Sequence, residues 1–321
     1  MTHDIIITAP LPPFLYDPLK ADYACHDYVQ AADKPAFLAA VAGKVRGLVQ
    51  GGGTVTPPSL LDALPALEII SVFGVGYDGV PVDYCRRRGI KVTHTPDVLT
   101  DDVADVAVAL ILMTGRGFVR ANRFVHAGEW LKRGTELTTK LGGRTVGIVG
   151  LGRIGKRMAH IGRNVFGRVI ACDPYIIDGD FPAYVERGVL AEVFAQSDVV
   201  SLHVPLNAET RGMIDAAVLA HLRPGSFLVN TARGAVVDVD AALAALESGT
   251  LGGLALDVLP VEPVPADSRL PGHPRVILSP HAAFYSVEAE RELRRKAAQN
   301  IITFLRTGRP DYVVVAGTRR P

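Results

Sequence analysis

Residues 145–173 read TVGIVGLGRIGKRMAHIGRNVFGRVIACD, and their types and spacing suit the binding of a ligand that carries phosphates. An apolar strand is expected at 146–149. Gly150 then permits a tight turn, Gly152 lets the backbone approach a pyrophosphate, and Gly155 lets the next helix pack close to the strand. The helix start offers N–H groups to phosphate oxygens. A second strand, 169–172, ends at Asp173, whose carboxylate can accept hydrogen bonds from an adenosine ribose. The glycine pattern alone says little. Strand, turn, helix, strand and acid in this order make a dinucleotide-binding fingerprint.

Three further side chains, Arg233, Glu262 and His281, follow three separate apolar runs. Arginine offers a planar fork that binds a carboxylate through two parallel hydrogen bonds. Histidine gives and takes a proton near neutral pH. A neighbouring carboxylate fixes the imidazole tautomer and favours the charged ring. Together they suit hydride transfer to the ketone of a 2-oxo acid. His281 supplies the proton, Arg233 holds the substrate carboxylate and polarises the carbonyl, and Glu262 orients His281. Taken singly, Arg233 also fits a plain surface loop, His281 a capping or packing role, and Glu262 a solvated turn. Their joint placement after a dinucleotide motif favours the chemical reading.

The elements that must position these groups form a βα rhythm. The first ~95 residues alternate short apolar runs (DIIIT, GLVQ, LEIISV, IKVTHT) with helical stretches such as 34–42, the pattern of a parallel α/β domain. A long apolar helix follows, with Asp101, Asp102 and Asp105 near its start, and is expected to cross from the first domain into the second. After Asp173 come SDVVSLHV, PGSFLVNTAR, LGGLALDV and RVILSPHAA, each a strand followed by a polar loop. Ligands bind outside the carboxyl ends of such strands, so loops 203–206, 230–234, 257–263 and 279–283 should share one cleft. The stretch 286–307 reads as a charged amphipathic helix that returns to the first domain. The expected fold class is α/β, with two Rossmann-like, doubly wound parallel-sheet domains and the active site in the cleft between them. The expected bounds are 1–97, completed by 285–321, for a substrate domain, and 98–284 for an inserted NAD(P)-binding domain.

Bulk composition agrees. A chain of 321 residues with 48% hydrophobic and 21% charged content fits a two-domain soluble enzyme. A net charge of +1 gives no field for nucleic acid or an anionic membrane. No apolar run is long enough to span a bilayer, and residues 1–10 lack a signal-peptide layout. Three widely spaced cysteines, Cys25, Cys85 and Cys172, suggest reduced thiols in the cytoplasm. No CxxC or HExxH is present, so no metal site is expected.

The chain resembles the D-isomer-specific 2-hydroxyacid dehydrogenases over nearly its whole length. The resemblance is carried by FGVGYDGVPVD (73–83), TPDVLTDDVAD (95–105), GIVGLGRIG (147–155), LHVPLNAET (202–210), NTARGAVVD (230–238), ALDVLPVEP (255–263) and LSPHAA (278–283). It implies that Arg233, Glu262 and His281 are the catalytic trio, and that Val75 and Gly76 offer backbone N–H groups to the substrate carboxylate. By residue type alone, GVGYD is simply a tight glycine turn. For the cofactor, the resemblance assigns Arg153 and Ile154 to the pyrophosphate and Asp257 to the nicotinamide carboxamide. It lines the groove with Thr100, Val204, Pro205, Thr210, Thr231, Ala232 and Ala283. By composition alone, Asp257 is equally a helix cap.

Asp173 would repel a 2′-phosphate, and no Lys or Arg follows until Arg187, so NAD(H) is the expected cofactor, with NADP(H) possible. The alternative is an Asp173 that points to solvent and discriminates little. Formate dehydrogenases of the superfamily carry Gln where Glu262 stands, which argues against that branch. The phosphoglycerate type has a basic residue near 50–54 and an appended domain, whereas here the loop is QGGGT. The resemblance is nearest to the glyoxylate/hydroxypyruvate reductases, hydroxyphenylpyruvate reductases and 2-ketogluconate reductases. Those members are largely NADP-linked, which conflicts with Asp173. The side-chain pocket is expected from loop 50–54, residues 74–77, Phe284 and a partner's Trp130. The triple glycine either leaves room for a larger substituent or is a flexible turn. Family members are usually homodimers through an arm near 100–140, and Trp130 is either a core anchor or a dimer contact. NAD(H)-sensing corepressors share the fold and keep the trio. They differ in carrying a disordered extension and in lacking turnover.

Overall fold

The computed structural model describes residues 3–9 and 17–314. The expected outer domain bounds at 1 and 321 lie outside these residues. The described chain packs as two units, one built from the residues up to Leu99 and from Ser286 onward, the other from Thr100–Tyr285. The helix Thr100–Gly115, expected to cross between domains, belongs wholly to the second unit. It packs on the helix Arg153–Gly162, and its Ala107, Leu110 and Ile111 join Ile148 and Met158 in one core.

The first unit is built on five strands: β1 (Asp4–Ile7), β2 (Ala24–Asp27), β3 (Val45–Gly51), β4 (Ile69–Phe73) and β5 (Lys91–Thr93). All pair in parallel, in the order β2-β1-β3-β4-β5. The order reverses between β1 and β3, the switch point of a doubly wound sheet. The helix Val287–Thr307 covers one face of this sheet. Ser286 caps its start, accepting a hydrogen bond from Ala289 N (2.9 Å), and Gly308 ends it in the left-handed conformation. Its Ala298, Ile301 and Phe304 pack against Ile5, Val49 and Ile69. Ser71 Oγ on β4 donates to Ala297 O (2.9 Å), which ties the helix to the middle of the sheet.

The second unit has seven parallel strands: β6 (Thr145–Val149), β7 (Arg168–Cys172), β8 (Glu186–Arg187), β9 (Val199–Leu202), β10 (Ser226–Asn230), β11 (Leu251–Leu256) and β12 (Val276–Leu278). Their order is β12-β11-β10-β9-β6-β7-β8. The switch point lies between β6 and β9, where a dinucleotide-binding sheet places its ligand. Strands β6, β9 and β10 are buried at every residue, as expected of strands covered on both faces. Two glycines allow the helices this closeness. A Cβ at Gly147 would meet Ser197 Oγ at 2.3 Å, and one at Gly253 would meet Thr114 Cγ2 at 2.5 Å.

Candidate active site

Every site residue expected in the second unit, apart from Thr100 at the start of its first helix, lies just past the carboxyl end of a strand. Gly150 to Gly155 follow β6, Asp173 follows β7, Val204, Pro205 and Thr210 follow β9, and Thr231 to Arg233 follow β10. Asp257 and Glu262 follow β11, and His281 and Ala283 follow β12. Val75 and Gly76 follow β4 in the first unit.

The glycine turn shows why each glycine is needed. Gly150 sits at φ 90°, and a Cβ there would lie 2.7 Å from His203 O and 2.9 Å from Val204 Cγ1. A Cβ at Gly155 would lie 2.0 Å from Gly150 O. Around Gly152 the space is open: nothing comes within 4 Å of its Cβ position. Gly152 is also the N-cap of the helix Arg153–Gly162, with no side-chain cap of its own. A helix start with this uncovered backbone fits a pyrophosphate, because first-turn N–H groups have no intrahelical acceptor.

Asp173 does not point idly to solvent. Its Oδ2 accepts from Leu151 N (2.8 Å) and its Oδ1 from Tyr175 N (2.9 Å). The carboxylate is thereby fixed beside the glycine turn, with a lone pair left on each oxygen for a diol. The adjacent Cys172 thiol is pushed up to about 12, first by burial and then by the Asp173 charge, so it is not a nucleophile. Thr210 Oγ1 donates to Pro205 O (2.6 Å) and accepts from Asn207 N (2.9 Å). Its hydroxyl closes the 205–210 loop, so Thr210 shapes the groove more than it can reach into it. Burial pushes the His203 imidazole down to about 4, so this ring is neutral at physiological pH, with Nε2 2.9 Å from Ser201 Oγ.

Asp257 is buried and is not a helix cap. Its Oδ1 accepts from Ser279 Oγ (2.6 Å) and Ala282 N (2.9 Å), and its Oδ2 from Ala283 N (3.1 Å). Its backbone O accepts from His281 N (2.8 Å). One carboxylate therefore shapes the whole SPHAA loop. Within that loop His281 adopts φ 53°, uncommon for a side-chain-bearing residue.

His281 Nδ1 lies 2.7 Å from Glu262 Oε2. A carboxylate offers only acceptors, so Nδ1 carries the hydrogen and Nε2 is the ring atom presented elsewhere. Glu262 Oε1 accepts from Leu259 N (2.8 Å), so the carboxylate is held from behind. About a third of each side chain is exposed, so a small ligand can reach the pair.

Arg233 lies on the loop after β10, with Nη1 donating to Ala232 O (2.8 Å). Asn230 was not singled out from the sequence, yet it holds this loop. Buried at the end of β10, it accepts from Ala232 N (2.9 Å) and donates to Arg233 O (2.9 Å). Gly234 is a second such residue. A Cβ there would fall 1.9 Å from Leu259 C and 2.4 Å from Pro260 N, so the Arg233 loop rests directly on the turn that carries Glu262. The available signal was a polar residue ending an apolar strand, followed by a glycine beside an arginine. Ser279, which donates to Asp257, is a third.

Residues 108–283 match the family model of the D-isomer specific 2-hydroxyacid dehydrogenase NAD binding domain. The chain belongs to the D-isomer specific 2-hydroxyacid dehydrogenase family. It is therefore an oxidoreductase that moves a hydride between a nicotinamide dinucleotide and a 2-oxo/2-hydroxy acid pair. A glyoxylate reductase from Thermofilum pendens is 36% identical over 88% of this chain and 81% of its own length. A hydroxyphenylpyruvate reductase from Plectranthus scutellarioides is 36% identical over 92% of this chain and 94% of its own. The crystal structure of an NADPH-dependent glyoxylate/hydroxypyruvate reductase from Sinorhizobium meliloti, in complex with NADP and malonate, superposes with a TM-score of 0.89. The two are 31% identical and the match covers 100% of this chain and 99% of that one.

Proposed function

We propose that this dehydrogenase reduces a small 2-oxo acid, glyoxylate or hydroxypyruvate, to the D-2-hydroxy acid, with NADH preferred to NADPH. The observation that carries the chemistry is the 2.7 Å contact of His281 Nδ1 with Glu262, which leaves Nε2 as the proton donor. When bound, the reduced nicotinamide supplies the hydride to the carbonyl carbon. His281 Nε2 gives its proton to the carbonyl oxygen, and the Glu262 carboxylate stabilises the ring while it is charged. Arg233 holds the substrate carboxylate and polarises the carbonyl. Val75 and Gly76 add backbone N–H groups to the same carboxylate, which makes the first unit the substrate domain. Arg153 and Ile154 would hold the pyrophosphate, and Asp257 the nicotinamide carboxamide.

Asp173 supports NAD. It is fixed beside the glycine turn, where a 2′-phosphate would meet its charge. The next basic residue in sequence, Arg187, lies over the Phe181 ring. The chain would work as a homodimer through the arm near 100–140, where Phe118, Val125, Trp130, Leu131 and Leu137 are exposed. A cytoplasmic location accords with the free thiols of Cys25, Cys85 and Cys172.

A larger acid is the second reading, favoured by open space around Gly53 in the 50–54 loop. Initial rates with glyoxylate, hydroxypyruvate, phenylpyruvate, 4-hydroxyphenylpyruvate and 2-ketogluconate, each with NADH and NADPH, separate the readings. The highest kcat/KM is expected with a two- or three-carbon acid and NADH. An aromatic acid or 2-ketogluconate as best substrate would overturn the size assignment, and NADPH as best donor would overturn the role of Asp173.

A further inference from the structure

We propose that His94 is a positioning residue that aims the Gly76 amide at the substrate carboxylate. The inference rests on the reading above, in which Val75 and Gly76 bind that carboxylate. The turn after β4 begins at Gly74, at φ 149°. Two carbonyls of this turn are anchored by the segment that follows β5. Gly74 O accepts from Thr95 N (3.0 Å), and Val75 O lies 2.9 Å from His94 Nδ1. A carbonyl only accepts, so Nδ1 carries the hydrogen.

In a trans peptide the C=O and the following N–H point in opposite directions. Gly74 O shares its peptide unit with Val75 N–H, and Val75 O shares its unit with Gly76 N–H. Both carbonyls are drawn toward His94 and Thr95, so both amides are turned the other way, together. Two adjacent N–H groups aimed alike form an anion cradle.

The second peptide needs an anchor because it ends in glycine. Gly76 tolerates a flip of the Val75–Gly76 plane at little steric cost. A flip would replace a donor by a carbonyl oxygen at the carboxylate site. The Thr95 backbone holds the first peptide, and Thr95 Oγ1 also accepts from Gly74 N (3.1 Å). The His94 side chain holds the second.

His94 is itself fixed. Its carbonyl accepts from the buried Asn300 Nδ2 (3.0 Å), its N–H donates to Tyr312 O (3.3 Å), and its ring stands edge to face with Tyr77, 5.5 Å between centroids. From the other side, Gly52 N donates to Phe73 O (3.0 Å), and a Cβ at Gly52 would come within 3.5 Å of Gly76 O. The glycine loop therefore backs the turn at van der Waals distance. Nδ1–H is present in the neutral tautomer and in the imidazolium, so the anchor holds in either charge state.

The test compares His94→Asn, which keeps a short side-chain donor, with His94→Leu, which is similar in size and has none. Steady-state rates with glyoxylate and hydroxypyruvate are combined with NADH titration. Amide spectra of 15N-Val- and 15N-Gly-labelled enzyme are recorded with oxamate, a carboxylate probe. The Leu variant is expected to raise KM at least tenfold, about the loss of one hydrogen bond to a charged group. Its NADH affinity should be unchanged, and oxamate should no longer shift the Gly76 amide. The Asn variant should stay within about threefold of wild type in KM, since its donor replaces the one lost. An unchanged KM in a folded Leu variant, with the Gly76 shift intact, would overturn the proposal. So would a tenfold higher KM in a folded Asn variant, a reading that remains if the Leu variant does not fold. If oxamate moves neither Val75 nor Gly76 in the wild type, the carboxylate role of this turn is what fails.

Discussion

At the scale of single residues, the site depends on atoms held from two sides. Glu262 is fixed by Leu259 N and in turn fixes His281, so in the proposed mechanism removing the ring removes the proton donor and little else. His281→Ala is expected to lower kcat by roughly 10²–10⁴-fold, the usual worth of a positioned acid or base, with NADH binding intact. Single-turnover rates and fluorescence titration read the two quantities separately, and near-normal turnover would place the proton elsewhere. Asp173→Ser tests cofactor choice. It removes a charge from the ribose end of the site while leaving a short polar group that can still accept from Leu151 N. The NADPH/NADH ratio of kcat/KM should rise by about tenfold or more, as expected when repulsion between two nearby charges is relieved. An unchanged ratio would mean that the 2′-phosphate never meets Asp173.

At the scale of elements, the decisive contacts are backbone on backbone. The Arg233 loop lies so close to Leu259 and Pro260 that Gly234 admits no side chain. Gly234→Ala should therefore push the two loops apart, lowering kcat/KM for the 2-oxo acid and costing roughly 1–3 kcal/mol of stability, as overpacking does. Urea melts and steady-state rates would show both. His203 gives a pH signature. Its ring is held neutral down to about 4, whereas in the unfolded chain it takes a proton near 6.5. Its share of stability is complete above 6.5, falls as pH drops toward 4, and amounts to about 3 kcal/mol when fully lost. The loss between pH 7 and 5 should be smaller in His203→Gln by about 2 kcal/mol. Parallel slopes would show that the His203 ring does not titrate on unfolding.

The elements were also where the sequence spoke most clearly. Strands β6, β7 and β9 to β11 are mostly apolar and almost wholly buried because both faces are covered, and such runs are legible without partners. Strand β2, ACHD, was not. It lies at a sheet edge, none of its residues is fully buried, and its His26 meets Asp4 across the pairing (2.8 Å), so no periodicity marks it. The glycine turn and the strand-end positions of Arg233, Glu262 and His281 were legible because residue type and motif spacing mark them without any tertiary contact. Asn230 and Gly234 were not: a polar residue ending a strand does not reveal that it clamps the Ala232 and Arg233 backbone, and Gly234 is constrained by Leu259 and Pro260 on another loop. Gly155 could be read from its motif, whereas Gly234 needs the position of Leu259 before its constraint exists.

At the scale of the whole molecule, the arm after the helix Thr100–Gly115 is the part of the second unit that does not account for its own composition. The helix Phe118–His126 buries no residue. Trp130 is 70% exposed, Leu131 93% and Leu137 99%, so the tryptophan is no core anchor within one chain. Scattered apolar side chains are ordinary on a protein surface, but several concentrated in a stretch of about twenty residues call for a covering surface. In the proposed homodimer a second copy of the arm would supply one under twofold symmetry, where the same patch serves both chains. Wild-type enzyme should elute in light scattering at twice the 34.2 kDa chain mass. Leu131→Glu combined with Leu137→Glu places two charges on each copy of the arm, which an apolar interface would have to desolvate. That variant should run as a monomer with a lower Tm. Because both side chains are almost fully exposed within one chain, the double substitution touches no core of its own protomer. A lower Tm with the dimer intact would mean the arm is stabilised within its own chain, and a wild-type monomer at micromolar concentration would remove the twofold assignment altogether.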